Sequence, residues 1–419
     1  MSFPKYPKYR SGGAAGRESP AHWVVAPLKR LVRIENGADY KHVQAAEGYP
    51  VIGSGGAFAY ACEYMYDGDS VLFGRKGTID KPLMVSGKFW TIDTMYWTRM
   101  LECHDARFVY YLACTIPFAM LSTDTALPSM TKEALYSYEV AVPSRAEELA
   151  IAAFLDREVA KIDALIAEQE RLIELLKEKR QAVISQAVTK GLNPDARTKP
   201  SGIEWIGDIP IHWNVGGLTR FIEPIVDYRG RTPTKQDQGI FLVTARNIRQ
   251  GRIDYSISQE YVDPESAASL LNRGKPAIGD LLFTTEAPLG QVALVDRTDI
   301  AIAQRIVKFR GMPDVMDNRF LMYWIMSDQC QARLTTLATG STALGIKASK
   351  LGMIGCPVPP FFEQAEIVTH CDKEVERCEK LILESESTIA LLAERRSALI
   401  SAAVTGQIDV RGLAEQKAA

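Results

Sequence analysis

Apolar residues recur in alternating steps of four and three along two stretches of the chain, the pattern of helices that pack lengthwise against other helices. The first set comprises Leu155, Val159, Ile162, Ile166, Ile173, Leu176, Val183 and Ala187. The second set comprises Cys371, Val375, Cys378, Ile382, Ile389, Leu392, Leu399 and Ala403. The two sets predict two long helices, each with an apolar seam.

The two predicted helices are copies of one sequence. Residues 155–189 align without a gap with residues 371–405, and 18 of the 35 positions are identical. Both copies interrupt the seam at the same two heights, at Gln169 and Ser385 and at Arg180 and Arg396. Polar seam residues fix the register of paired helices. We therefore predict that the two helices pack on each other, antiparallel, within one chain.

Both helices carry boundary signals. Ser144 is followed three residues later by Glu147, the spacing of an N-terminal capping box, and Pro359-Pro360 precedes the second helix. The glycines that follow the two ends are Gly191 and Gly406. The first helix is predicted over 145–189 and would be about 65 Å long. The alternative is a solvated helical arm inside one globular domain, but two copies separated by a domain-sized insert favour a pair.

The repeat divides the chain into two similar halves. Residues 1–145 and 196–360 form two inserts, and residues 146–195 and 361–419 form the helical segments. Both inserts read as short strands and turns with few long helices. The predicted fold class is therefore α+β, with two globular mixed α/β domains joined by two long antiparallel helices in a pseudo-two-fold intramolecular coiled coil.

The inserts open alike and then diverge. Pro20-Ala21-His22-Trp23 in the first is echoed by Pro210-Ile211-His212-Trp213 in the second. Strand–loop units are predicted at 52–56 and 71–78, with counterparts at 241–248 and 279–285. Similar helices beside divergent inserts indicate one scaffold that carries two different binding domains.

Composition is that of an ordinary globular protein of two or three domains. The 419 residues are 47% hydrophobic and 24% charged, and no apolar run approaches the roughly 18 residues of a membrane span. Seven cysteines without a CxxC motif argue against a disulfide framework or a zinc site. We expect a cytoplasmic protein with no membrane contact.

The net charge of −2 conceals a segregation of charge. The two inserts carry a small basic excess, whereas the two helical segments carry an acidic excess. This distribution suits inserts that contact phosphates and helices that contact protein.

These features together resemble the specificity subunit of type I restriction–modification systems, over almost the whole chain. The resemblance rests on the segment 204–210 (EWIGDIP) with His212-Trp213 and on the paired helices that end in Ala-Val-Thr. Further phrases typical of that family are GRKG at 74–77, IDT at 92–94, DYRG at 227–230, TARNI at 244–248 and FTTEAPLG at 283–290. Each phrase is weak alone, but their order around the repeat is specific.

The resemblance implies a function and a set of partners. In that family each insert is a target recognition domain that reads one half of a bipartite site in double-stranded DNA. The long helices space the two domains, two methyltransferase (M) subunits assemble on the chain, and two ATP-driven restriction (R) subunits join them. It also implies that this chain binds no cofactor, since S-adenosylmethionine, ATP and Mg belong to the partner subunits.

Motifs of catalysis are absent from the sequence. There is no Asn/Asp-Pro-Pro-aromatic sequence of an adenine methyltransferase, no GxxxxGK[ST] phosphate loop and no HExxH. His22 and His212 are related by the repeat, and each lies beside a Trp at the start of an insert, which favours structural packing. We expect a non-catalytic subunit whose enzymatic activities reside in its partners.

Candidate DNA contacts are basic or polar residues in predicted turns that follow strands. Backbone and side chains of such turns reach phosphates, while Arg to guanine and Asn to adenine are favoured base contacts. Arg246 and Asn247 are therefore the candidates for direct readout. The full set is Ser54, Arg75, Lys76, Arg229, Arg231, Lys235, Arg246, Asn247, Thr342 and Lys347. Surface arginines that merely solvate loops are an equally good explanation for any one of them.

Acidic residues also recur at matched heights of the two helices, where the seam does not need them. We interpret Glu158, Glu170, Glu374 and Glu386 as a duplicated docking surface for a partner. Two alternatives to the restriction–modification function stay open: a methylation-only or orphan specificity subunit, and a coiled-coil scaffold protein without DNA readout.

Overall fold

The computed structural model describes residues 3–11, 18–101, 104–123, 128–228, 230, 233–340 and 344–413. The chain forms two compact units. Unit 1 comprises residues 1–170 and 386–419, and unit 2 comprises residues 171–385. Each unit therefore contains one insert together with part of each long helix, so the units are larger than the inserts themselves.

Unit 1 contains short strands and helices before the first long helix begins. Its strands are β1 Tyr9–Arg10, β2 Ser19–Pro20, β3 Val24–Pro27, β4 Val32–Asn36, β5 Gln44–Ala45, β6 Tyr49–Gly53, β7 Gly56–Ala61, β8 Tyr66–Asp67, β9 Ser70–Gly74, β10 Leu83–Val85, β11 Lys88–Thr91, β12 Met95–Met100 and β13 Glu139–Val142. Its helices are α1 Ala106–Ala113, α2 Phe118–Leu121, α3 Lys132–Ser137 and the first part of α4 Arg145–Lys190, with 3₁₀ turns at Leu28–Arg30 and Lys41–Val43.

Unit 2 has a similar order of elements. Its strands are β14 Thr198–Pro200, β15 Asp208–Pro210, β16 Asn214–Gly217, β17 Val226–Asp227, β18 Ile240–Val243, β19 Ile248–Arg249, β20 Arg252–Ile253, β21 Tyr261–Val262, β22 Leu281–Thr284, β23 Val292–Leu294, β24 Ile300–Ile302, β25 Ile306–Phe309 and β26 Gly355–Val358. Its helices are α5 Pro264–Leu271, α6 Asn318–Met326, α7 Asp328–Leu337 and the first part of α8 Phe361–Val404, with 3₁₀ turns at Leu218–Arg220 and Ala348–Met353.

The two inserts share the strand order of one four-stranded sheet although their sequences are hard to align. An antiparallel sheet of order β10-β9-β12-β4 in unit 1 matches β23-β22-β25-β17 in unit 2. Each insert also has a parallel pair, β6 with β11 and β18 with β24. The predicted strand–loop counterparts fall on these strands, because β6 corresponds to β18 and β9 to β22. This correspondence confirms that part of the sequence analysis.

The long helices have the predicted bounds and caps. The first helix was predicted over 145–189 and runs over 145–190. Ser144 and Glu147 form a reciprocal capping box, in which the Glu147 amide donates to Ser144 Oγ at 3.4 Å and the Ser144 amide donates to Glu147 Oε2 at 3.3 Å. The second helix begins after Pro360 and ends at Val404.

Within each unit the two long helices run antiparallel. In unit 1, Leu155 and Val159 share a core with Val404 and Ile400, and further along α4 Asp163 Oδ1 accepts from Arg396 Nε at 2.7 Å. Unit 2 has the equivalent ion pair, Arg180 Nη1 with Glu379 Oε1 at 3.7 Å. Because Asp163 and Arg180 lie 216 positions before Glu379 and Arg396, the two pairs are copies of one interaction. Each seam arginine therefore pairs with an acidic residue of the opposite helix.

Each insert is fastened to its long helix by a duplicated set of polar contacts. Glu147 accepts from Trp23 Nε1 and contacts His22 Nε2 at 2.9 Å, and Glu363 does the same with Trp213 and with His212 at 2.7 Å. Burial opposes ionisation of Glu147, but hydrogen bonds from His22 and Ser144 outweigh it and hold the carboxyl pKa below its usual value. The histidines are thus structural, as predicted from their position beside Trp.

A second duplicated contact fastens α1 and α6 to the long helices. Asp156 accepts from Arg107 at 2.9 Å and from Tyr111 at 2.8 Å. Asp372, the repeat equivalent, accepts from Arg319 and from Tyr323, the latter at 2.7 Å. No helix among the described residues has both the length and the apolar character needed to cross a membrane.

Candidate nucleic-acid interface

Three loops of unit 1 meet at one edge of its sheets. They are residues 54–55 between β6 and β7, residues 75–78 after β9 and residues 92–94 after β11. The Ile92 amide donates to Ile52 O at 3.3 Å, and the Arg75 amide donates to Thr94 O at 2.8 Å. We call these three loops the unit 1 rim.

Unit 2 has the same arrangement. Its loops are residues 244–247 after β18, 285–290 after β22 and 303–305 after β24, here called the unit 2 rim. The Ala303 amide donates to Val243 O at 2.9 Å, and the Thr285 amide donates to Arg305 O at 2.9 Å. The backbone pattern makes Thr285 equivalent to Arg75 and Arg305 equivalent to Thr94. Predicted DNA contacts from divergent inserts therefore fall on one shared structural feature.

The unit 1 rim presents the predicted basic pair. Arg75 Nη1 donates to Asp93 O at 3.2 Å, and its guanidinium lies 5.9 Å from the centroid of the Tyr96 ring. Burial raises the pKa of the Tyr96 hydroxyl, and the nearby Arg75 charge partly opposes this. Lys76 is exposed, and Ser54 is half-buried in the turn between β6 and β7. A half-fixed guanidinium beside an exposed ammonium suits contact with phosphate oxygens.

A cleft of about 230 Å³ opens at the unit 2 rim. Residues of all three loops line it, including Thr244, Arg246, Ala287, Gln304 and Arg305, and Lys235 and Glu260 complete the wall. Lys235 Nζ forms an ion pair with Glu260 Oε2 at 2.7 Å. The predicted residues Lys235 and Arg246 are thus brought together, and the cleft combines cations with hydrogen-bonding groups.

The structure contradicts the prediction that Asn247 reads a base. Its side chain is fully buried. Oδ1 accepts from the Thr244 amide at 2.8 Å and from Thr244 Oγ1 at 2.7 Å, while Nδ2 donates to the Asp254 and Ile257 carbonyls. The amide is therefore fully used in holding the turn after β18, and its exposed neighbour Arg246 is the residue of this pair that faces solvent.

The remaining predicted DNA contacts have varied positions. Lys347 is exposed and follows Ile346, whose amide donates to Thr285 O at 2.9 Å, so it lies beside the unit 2 rim. Arg229, Arg231 and Thr342 lie outside the described residues. For the exposed residues of both rims, DNA contact stays a prediction.

Sequence reasoning missed Gln304 and Arg305, which line the unit 2 cleft. The order of strands was the signal that could have identified them. Ile92-Asp93-Thr94 follows β11, and Ala303-Gln304-Arg305 follows its counterpart β24. The two triplets share no residue type, so only the backbone pairing relates them.

The four glutamates predicted to dock a partner differ in their surroundings. Glu170 and Glu386 are exposed, and Glu374 is half-buried. Glu158 accepts from Arg157 Nε and Lys161 Nζ, both at 3.0 Å. Burial alone would raise the pKa of Glu158, but these hydrogen bonds lower it below its usual value. Since its charge is matched within its own helix, Glu158 is a weaker candidate than Glu170 and Glu386.

In the part of the chain that the structure describes, no three His, Cys, Asp or Glu side chains are grouped so that they could hold a metal ion.

Sequence comparison relates the chain to known proteins. The sequence pattern of the family described as Type I restriction modification DNA specificity domain matches residues 20–175 and 255–384. The MjaVIII type I restriction enzyme specificity subunit of Methanocaldococcus jannaschii is 24% identical over 308 residues, which cover 69% of this chain and 66% of that protein. The EcoKI specificity subunit of Escherichia coli is 22% identical over 286 residues, which cover 66% of this chain and 59% of that protein. The chain thus spans less than two thirds of the length of these relatives.

A more distant relative aligns along most of its length. The EcoDI specificity subunit of Escherichia coli is 19% identical over 415 residues, which cover 94% of this chain and 91% of that protein.

Solved structures share the fold. A chain from a structure described as "Structural basis underlying complex assembly and conformational transition of the type I R-M system" matches with a TM-score of 0.71 and 14% identity, covering 94% of this chain and 100% of that one. The HsdS subunit from Thermoanaerobacter tengcongensis matches with a TM-score of 0.52 over the same shares. These likenesses confirm the predicted fold class.

Proposed function

The chain belongs to the type I restriction modification DNA specificity family, and we propose that it is a non-catalytic specificity subunit that reads a bipartite site in double-stranded DNA. Each unit would read one half-site through its rim. The half-sites would be separated by an undefined spacer, because two readers on one chain contact the duplex at two places.

One observation carries this proposal: the two rims have the same backbone arrangement but different side chains at equivalent positions. Lys76 and Glu286 are equivalent, since each follows the equivalent strand and forms a bridge to an equivalent partner, Ser129 or Gly345. Thr94 and Arg305 are likewise equivalent. A cation in one unit is thus replaced by an anion in the other, and a neutral residue by a cation. Two readers with such different groups suit an asymmetric site.

The duplicated helices support a second part of the proposal, in which the chain is the scaffold of the complex. Two similar helical surfaces can present similar docking sites to two copies of one partner. The partners would be two M subunits, with two R subunits joining them. The methyltransferase and ATP-dependent nuclease chemistry, with S-adenosylmethionine, ATP and Mg, would reside in those partners.

Methylome sequencing tests the proposal. The chain would be expressed with its cognate M subunit in a host that lacks other adenine methylation, beside a strain that expresses the M subunit alone. We expect a bipartite motif with two short defined parts that depends on this chain. A contiguous motif, or a motif that survives deletion of either insert, would contradict it. Failure to methylate or bind any duplex would favour the scaffold function without DNA readout.

A further inference from the structure

Arg305 is anchored through its backbone carbonyl and its Nε, and its side chain stays about half exposed. Its backbone carbonyl accepts from the Thr285 amide at 2.9 Å and from Thr285 Oγ1 at 3.1 Å. Its Nε pairs with Glu286 Oε1 at 3.0 Å, while about half of its side chain is exposed in the cleft. The ion pair therefore orients a side chain that stays about half exposed to solvent.

This geometry is selective for one kind of ligand. A guanidinium whose Nε is occupied keeps a pair of parallel donors on Nη1 and Nη2, which match two acceptors in a plane. In the DNA major groove the edge of guanine presents two acceptors, O6 and N7, and Arg to guanine is the commonest specific contact. An oriented fork loses less freedom on binding than a mobile side chain does.

We propose that Arg305 reads a guanine in the half-site of unit 2, and that Glu286 is the positioning residue that orients it. The inference rests on the proposed DNA-reading function and deepens it by naming a base. The unit 1 rim has Thr94 and Lys76 at the equivalent positions, so unit 1 lacks this pair. The guanine contact thus belongs to one half-site only.

Arg246, in the same cleft, serves as a contrast. It is exposed, and within the described part of the chain it forms no ion pair with a carboxylate. An exposed cation of this kind suits a phosphate, which accepts from many directions. Arg305 and Arg246 should therefore differ in what their removal does: loss of a base preference for Arg305, and uniform weakening for Arg246.

Arg297 offers a control at the other end of β24. It precedes β24 where Arg305 follows it, it has a similarly exposed side chain, and its Nε pairs with Asp299 Oδ1 at 2.6 Å. Arg297→Ala removes the same charge and another carboxylate ion pair, at the opposite end of β24 from the rim.

The experiment measures methylation rates of reconstituted complexes on duplexes in which each base pair of the motif is replaced in turn. The complexes contain the wild-type chain, Arg305→Ala, Arg305→Lys, Glu286→Gln or Arg297→Ala. For the wild type we expect one G·C pair of one half-site to be preferred by about 5- to 150-fold. Arg305→Ala should abolish only that preference and leave the other half-site unchanged. Arg297→Ala should recognise the same motif as the wild type.

The conservative variants separate base reading from simple charge. Arg305→Lys keeps the charge but not the fork, so it should retain affinity and lose most of the preference. Glu286→Gln should reduce the preference partly without lowering the melting temperature. Equal weakening on every sequence by Arg305→Ala, rescued by Arg305→Lys, would overturn the inference in favour of a phosphate contact. The inference would also be overturned if Arg305→Ala changed neither half of the motif. A wild-type complex without a bipartite motif would instead refute the proposed function itself.

Discussion

Neighbouring residues at the rims can have opposite roles, and burial decides which role each has. Arg246 and Asn247 are adjacent, and both residue types favour DNA contacts. Asn247 is nevertheless buried with all of its amide hydrogen bonds made inside the turn, whereas Arg246 is exposed. A buried amide that is already satisfied has no donor or acceptor left for a base.

This difference predicts distinct phenotypes for two alanine variants. Asn247→Ala should destabilise unit 2 by about 1–3 kcal/mol, because it leaves the Thr244 amide and two carbonyls without their buried partner. Arg246→Ala should leave the melting temperature unchanged and weaken binding to all duplexes, with the slope of log affinity against log salt reduced by about 1. Thermal melting and fluorescence anisotropy at several salt concentrations measure both. A stable Asn247→Ala variant with an altered motif would restore Asn247 as a base-reading residue.

At the residue scale, sequence alone identified some rim residues and not others for a physical reason. Arg75, Lys76 and Arg246 lie within three residues after the end of a strand, so the local pattern places them in turns. Arg305 gains its significance from Glu286, which comes from another loop some 20 positions earlier in the chain. The pairing of distant strands creates that contact, and no local signal reports it.

At the element scale, the long helices were predictable because their signals are local and occur twice. Heptad spacing and the Ser144–Glu147 capping box act within a few turns of helix, and the 216-residue repeat presents the heptad spacing twice. The matched polar seam residues also predict that the two helices pack in a fixed register. In the structure, Arg396 pairs with Asp163 and Arg180 pairs with Glu379. The short strands were harder: the sequence predicts two counterpart strand–loop units, but the equivalence of the other strands is evident only from the order of hydrogen-bonded neighbours.

The duplicated acidic positions of the helices lead to a prediction about assembly. Charge reversal by Glu170→Lys and Glu386→Lys together should weaken capture of the M subunit about 5-fold at each site, because exposed charges contribute little individually and act mainly through complementarity. Either reversal alone should leave one M subunit bound normally and the other weakly. Native mass spectrometry at protein concentrations near the dissociation constant would count the bound copies.

A matched control lies on the same helix. Glu174 is exposed and pairs with Lys177 at 2.8 Å, but its repeat equivalent is Ala390, so it is not part of a duplicated surface. Glu174→Lys should bind two M subunits as the wild type does. Full two-to-one assembly by the double variant would exclude Glu170 and Glu386 as docking residues.

At the scale of the whole molecule, both long helices cross the division between the two units at equivalent places. The division falls after Glu170 in α4 and after Ser385 in α8, and Ser385 is the repeat equivalent of Gln169. Each unit thus keeps its own insert, its own core and its own antiparallel helix pair. The two halves of a bipartite site would then be connected through uninterrupted helix and not through a flexible linker.

Helix length should therefore set the spacer between the half-sites. Four residues inserted after Gln169 lengthen a helix by about 6 Å and rotate it by about 40°, close to two base-pair steps of about 3.4 Å each. We expect a motif with both half-sites unchanged and a longer undefined gap. Four further residues after Ser385 should keep the helix pairing inside both units and give the same longer gap with higher stability.

A control variant carries four residues added to the exposed turn at Asn193-Pro194. This insertion lengthens the chain outside the helices, so that variant should keep the original gap. Methylome sequencing of the three variants reads the gap directly, and an active complex with an unchanged gap would show that the helices do not determine it.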